Sequence, residues 1–280
     1  MTTPSYTYKA LNRTEEFRQA AETISGKIAS IKGVVGILAT GGIARGYCDD
    51  LSDLDLIVFT EHERMDEIVS YIAIGSLMHK EIGLDTPVES YEKALDADVP
   101  SDYWSQVVRW DREQALILAD SEGKFAELLA NKIVFPESER KELLELYRGL
   151  VEEYLLHNAV LWSKRGHLVN VMDTIITGAK HLICWLCAKN NKFQPYLPKW
   201  LFYYLENGLI PESKYFNILK RPYLESISTH DEAIEIREAL LMVCRDCGME
   251  FRFGSVDEIL AHCRRNWEDL SERSKKYLSW

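Results

Sequence analysis

The residues Gly41-Gly42-Ile43-Ala44-Arg45-Gly46 are followed, after a short polar stretch, by Ser52-Asp53-Leu54-Asp55-Leu56-Ile57-Val58-Phe59. Two kinds of chemistry meet in this block. Gly41 and Gly42 have no side chain, so the backbone can press close to a phosphate, and the amides opening a following helix point at it. Asp53 and Asp55 stand two apart in an apolar run, so on a strand they share a face, about 6.5–7 Å apart along the backbone. That spacing suits two carboxylates holding one or two hard divalent cations such as Mg²⁺. Either half alone is common in purely structural settings. The order strand, Gly-Gly, helix, Ser-Asp-x-Asp, apolar strand is what carries the functional reading.

The elements that must position these residues can be read from apolar periodicity. Residues 34–40 and 54–59 are short apolar runs and are expected as buried strands. Residues 14–31 read as an amphipathic helix with Thr14 as N-cap and Gly33 beyond its end. A helix is expected over 63–80, a third strand beginning near Pro87, a helix over 101–112 and a strand over 115–119. From Pro136 onward helical spacing dominates, through 137–164, 168–189, 199–207, 231–247 and 256–278. The expected organisation is therefore two domains, 1–135 mixed α/β and 136–280 all-helical.

Composition narrows the class. The 280 residues are 46% hydrophobic and 28% charged, ordinary for a globular protein and long enough for two cores. No apolar run is expected to span a membrane, and the polar start, Met1 to Lys9, does not read as a signal peptide, so a cytoplasmic location is expected. The net charge of −11 is uneven: residues 1–135 carry 13 Lys and Arg against 23 Asp and Glu, residues 136–280 carry 20 against 21. An acidic N-terminal half is a poor partner for a nucleic-acid backbone, so none is expected. Cys184-x-x-Cys187 and Cys244-x-x-Cys247, with His181, His262 and Cys263 nearby, have the residue types of a zinc tetrad. The gap between the pairs is far longer than in compact zinc ribbons, and the first pair lies in an apolar helical stretch. Small core residues are the expected role for these cysteines.

The Gly-Gly, Ala-Arg-Gly and Asp-x-Asp block resembles the signature of the polymerase-β-like nucleotidyltransferase superfamily, the fold of antibiotic adenylyltransferases. Gly42 stands where that signature usually has a serine, which shifts phosphate binding toward backbone amides. The segment Asn190-Asn191-Lys192-Phe193-Gln194-Pro195-Tyr196-Leu197-Pro198-Lys199-Trp200-Leu201 is similar to a stretch of uncharacterised bacterial nucleotidyltransferase-like proteins. The resemblance implies an α+β nucleotidyltransferase fold, a mixed sheet with flanking helices in 1–135, followed by a helical substrate- and nucleotide-binding domain in 136–280.

The resemblance also implies roles. Asp53 and Asp55 hold Mg²⁺, with two metals possible, and a third carboxylate serves as ligand or general base; Glu89 is the first choice and Asp85 the second. Gly41, Gly42, Arg45 and Ser52 contact the nucleotide, and Lys199 reaches from the helical domain to the triphosphate, with Lys180 a weaker candidate. The alternative for Arg45 is an ion pair with Asp49 or Asp50, and for Lys199 an ordinary helix start. Glu152, Glu153 and Asp173 are expected on solvated helix faces, and Tyr154, Trp162, Tyr203 and Tyr204 mostly in the core. The implied activity is transfer of AMP from ATP to a hydroxyl of a small molecule, an antibiotic such as an aminoglycoside or lincosamide. The alternatives are a catalytically weak binding or regulatory protein and AMP transfer to a protein hydroxyl. The oligomeric state stays open.

Overall fold

Along Asp53–Thr60 the even positions Leu54, Leu56 and Val58 are fully buried, while Asp53 is exposed and Asp55 half-buried. That alternation organises the N-terminal half. The even side packs against Phe17, Ala20, Ala21, Ile24 and Ile28 of a helix, and further up the strand the odd side, Ile57 and Phe59, meets Leu38, Phe125 and Leu128. The first odd positions of the strand are the aspartates, Asp53 exposed and Asp55 half-buried.

The structure, a computed structural model, describes residues 11–73, 82–96, 102–197, 199–253 and 258. The elements are α1 (Thr14–Ala29), β1 (Val34–Ala39), α2 (Gly41–Ala44), β2 (Asp53–Thr60), α3 (Met65–Ala73), β3 (Gly83–Asp85) and β4 (Val88–Ser90). They continue with α4 (Tyr91–Asp96), α5 (Tyr103–Glu113), β5 (Leu116–Asp120) and α6 (Lys124–Lys132). The expected third strand is thus two short ones on either side of Pro87. The sheet is mixed, in the order β3-β2-β1-β5: β1 runs antiparallel to both β2 and β5, whereas β3 and β4 both pair parallel with β2. Thr14 opens α1 rather than capping it. Asn12 Oδ1 accepts the Thr14 amide at 3.0 Å, which frees the Thr14 hydroxyl to donate to Gly46 O and accept from the Cys48 amide.

Helices follow: α7 (Glu137–Val151), a wider π-type stretch over Glu152–Asn158, α8 (Ala159–Lys164), α9 (Leu168–Lys189), α10 (Tyr203–Glu206), α11 (Phe216–Leu219), α12 (Arg221–Leu224) and α13 (His230–Asp246). A Thr229–Glu232 capping box starts α13. The helix expected over 199–207 is only the single turn α10, and the one expected over 256–278 lies outside the described residues, as do 74–80 of the helix expected over 63–80. By length and composition α9 could cross a bilayer, contrary to expectation; 72% of its most apolar window is buried inside the protein. Cys184 and Cys187 sit in that interior, and burial pushes the Cys184 thiol up to about 12.

The chain divides into two compact units, Met1–Pro100 with Asp111–Val134, and Ser101–Trp110 with Phe135–Trp280. The division is thus not a single cut of the chain. The first two turns of α5 belong to the C-terminal unit, and only its last residues belong with the sheet.

Candidate functional site

The turn after β1 is shaped by two glycines with different tasks. Gly41 has φ +58, in the left-handed region, and a Cβ built on it would fall inside Asp55 Oδ2. The Asp55 carboxylate thus lies directly over the Gly41 backbone. At Gly42 a Cβ would run into the main-chain carbonyl of Tyr47, whose amide in turn donates to Gly42 O at 2.9 Å. A serine does not fit in the turn as built, because the Tyr47 carbonyl closes over it where a side chain would begin.

Arg45 is committed to this turn. Its side chain is 1% exposed; Nη1 donates to Gly41 O at 2.5 Å and Nη2 to Asp111 Oδ1 at 2.6 Å. The same Asp111 oxygen accepts the Gly41 amide at 3.4 Å. The guanidinium is thus engaged by the turn and by an ion pair with Asp111. Ser52 is likewise engaged locally: its hydroxyl accepts from the Asp49 amide at 2.9 Å and donates to Asp49 Oδ1, tightening the loop before β2. Amide donation from Leu51 leads the contacts that hold the Asp49 carboxyl below the usual range.

The carboxylates come next. Parallel register places Asp85 of β3 beside Asp55 and Gly83 beside Asp53. Paired residues on adjacent strands project to the same face, so Asp53, Asp55 and Asp85 form one acidic edge. Glu89, the first choice for the third carboxylate, is instead in register with Phe59, four residues or about 13 Å up β2. There it accepts Arg112 Nη2 at 2.7 Å, and the guanidinium lies over the Phe59 ring. Register makes the difference: the strand is in two pieces on either side of Pro87, and only the piece before it is paired beside the aspartates. No three His, Cys, Asp or Glu side chains among the described residues converge tightly enough to hold a metal on their own. The donors at this edge are all carboxylate oxygens, which fits a hard cation; Mg²⁺ is commonly bound by one or two carboxylates and completes its shell with water and phosphate oxygens. The acidic field is felt nearby: burial pushes the Cys48 thiol up to about 11, and Asp55 and Asp49 add to the rise.

In the C-terminal unit Lys199 is exposed, with its ammonium 5.5 Å from the Trp200 ring centre. Lys180 is half-buried and desolvation lowers its pKa. Glu152 is 1% exposed, not on a solvated face; it accepts the Arg252 amide, and burial raises its pKa. Glu153 accepts from Asn158, and Asp173 is exposed. Tyr204 is in the core as expected, whereas Tyr154, Trp162 and Tyr203 are only half-buried.

The segment around Gln194 is held by a sealed polar network. Arg109 grips both oxygens of Glu139 at 2.9 and 2.6 Å, Gln106 donates to the same carboxylate at 2.6 Å, and Gln106 Oε1 accepts the Gln194 amide at 3.1 Å. Tyr147 donates to Gln194 Oε1, and Arg109 lies over the Phe193 ring. Asp111 and this network had one sequence signal, Gln and Arg interrupting the apolar face of α5. It names no partners, which lie 30 to 88 residues away.

No protein-family model and no curated protein matches the chain. Among solved structures it is similar to a nucleotidyltransferase-like protein from Exiguobacterium sibiricum 255-15. The identity is 14% and the TM-score 0.42, with 89% of this chain and 79% of that one covered.

Proposed function

We propose that this chain is a Mg²⁺-dependent nucleotidyltransferase that moves AMP from ATP to a hydroxyl of a small molecule, with antibiotics such as aminoglycosides or lincosamides as the acceptor class. The observation that carries the proposal is the open acidic edge: Asp53 and Asp55 on one face of β2, with Asp85 in register and the Gly41 turn packed on Asp55. Asp53 and Asp55 are the residues to hold the metal, which when bound neutralises phosphate charge and orients the in-line displacement. Asp85 takes the place first given to Glu89, because Arg112 already occupies Glu89. In the reaction the acceptor oxygen bonds to the α-phosphorus, the bond to the bridging oxygen breaks, and pyrophosphate leaves. The acceptor proton passes to the Asp85 carboxylate, which must lie within hydrogen-bond reach of the hydroxyl.

The test is pyrophosphate release from ATP and Mg²⁺ against a panel of hydroxyl acceptors. Release by the wild type, abolished in Asp53→Asn/Asp55→Asn with the fold intact, supports the proposal. Unchanged turnover in the double variant removes the mechanism. A second reading, nucleotide binding without turnover, is favoured by one observation. The Gly41 amide and Arg45, the donors expected to meet phosphate, are both turned to Asp111. Mg-ATP binding with no pyrophosphate from any acceptor selects that reading.

A further inference from the structure

We infer that Asp111 and Arg45 are positioning residues for Asp55, acting through the Gly41 peptide; the inference deepens the proposed metal-dependent function and rests on it. The two side chains bracket one residue. Asp111 Oδ1 accepts the Gly41 amide on one side, and Arg45 donates to the Gly41 carbonyl on the other. The bracket is closed by the Arg45–Asp111 bond of 2.6 Å. Gly41 is the residue on which the Asp55 carboxylate rests, too close for any Cβ between them. The Thr40 amide, one residue earlier, donates to Asp55 O at 3.0 Å, so the turn is bonded to the aspartate's main chain and packed against its carboxylate. A left-handed glycine flanked by a second glycine has several backbone states open to it. Left alone, such a turn leaves Asp55 free to swing with it; the buried guanidinium and its carboxylate select one state. Asp111 lies 70 residues beyond Gly41 in the chain but in the same compact unit, so the clamp closes only once that unit has folded.

Both bonds to Asp111 end on a single oxygen, which gives the test its resolution, because an asparagine Oδ1 can accept both. The full chain is compared as wild type, Asp111→Asn and Asp111→Ala by hydrogen exchange of the Gly41 amide and by Mn²⁺ titration followed by electron paramagnetic resonance. Asp111→Ala is expected to speed Gly41 exchange and weaken Mn²⁺ binding, each about tenfold, with Asp111→Asn within about threefold of wild type in both. Equal losses in the two variants overturn the inference and make Asp111 a ligand or a charge effect. Wild-type values in Asp111→Ala overturn it outright. Where Asp111→Ala does not fold, Arg45→Met serves in its place, since it leaves the part-exposed Asp111 carboxylate to water instead of stranding a buried cation; it must show the same two losses. A wild type that takes up no Mn²⁺, with or without ATP, removes the proposed function instead. The clamp is then decided by exchange alone: faster exchange in Asp111→Ala than in Asp111→Asn upholds it, and equal rates reject it.

Discussion

Arg109 and Asp111 stand two residues apart on α5 and each forms an arginine–carboxylate pair, yet the pairs have different tasks. Arg109–Glu139 is sealed, both side chains 4% exposed; Arg109 Nε is spent on Ser105 O of its own helix, and Glu139 Oε1 also accepts Gln106, whose own oxygen holds the Gln194 amide. Arg45–Asp111 buries only its cation; the carboxylate is 27% exposed and borders the acidic edge of β2. A sealed ion pair fixes a fold and can do little else, because its groups meet no solute. A pair open on one side can hold a reactive group in place while staying within reach of solvent. The helix α5 thus carries a structural residue for one unit and a positioning residue for the other within a single turn.

The comparison breaks if the sealed pair proves dispensable. Glu139→Ala is expected to cost about 3–5 kcal/mol of stability by stranding the Arg109 cation, measured by urea unfolding. Arg45→Met is expected to cost about 1–3 kcal/mol, since the carboxylate it leaves is hydrated. Equal costs would erase the distinction. Gly42→Ser tests the turn itself: the added Cβ meets the Tyr47 carbonyl, so a loss of about 1–3 kcal/mol is expected with no gain in nucleotide binding. Tighter binding of Mg-ATP in that variant would instead mark the serine as missing machinery.

A pH scan sharpens the contrast between a sealed and an open region. His181 is fully buried beside Tyr147 and Tyr154, and burial lowers its pKa from 6.5 to about 3. The unfolded chain therefore binds this proton first. Its contribution to stability is complete above pH 6.5 and falls, by at most about 1.4 kcal/mol per pH unit, as pH drops toward 3. His181→Phe should flatten the thermal midpoint between pH 6.5 and 4; an unchanged profile would contradict this. The smallest effect is expected from Lys199→Ala. Its ammonium is exposed, so stability should move by less than about 0.5 kcal/mol. A large loss of Mg-ATP affinity there would give Lys199 the phosphate role that the resemblance implies.

Much of this was legible in the residues. The alternation in Asp53–Thr60 identifies β2 and puts both aspartates on one face, and the bounds of α9 follow from periodicity alone. Strand register was not legible: it puts Asp85 beside Asp55 and Glu89 beside Phe59, and Pro87 divides one apparent strand into two. Arg45 reads as a phosphate ligand in isolation; its partner Asp111 comes from α5, and pairing at that separation leaves no local pattern. The Gly42 departure reads as a lost hydroxyl until the Tyr47 carbonyl is seen to occupy the space. In each case a residue's type was informative and its neighbour was not.

The most direct measurement is calorimetric titration of Mg-ATP into the wild type and into Asp53→Asn/Asp55→Asn, with circular dichroism confirming equal folding. The acidic edge as metal and nucleotide site predicts saturable binding to the wild type and a loss of at least about tenfold in the double variant. Equal affinity in the two proteins, or no binding to either, would contradict it.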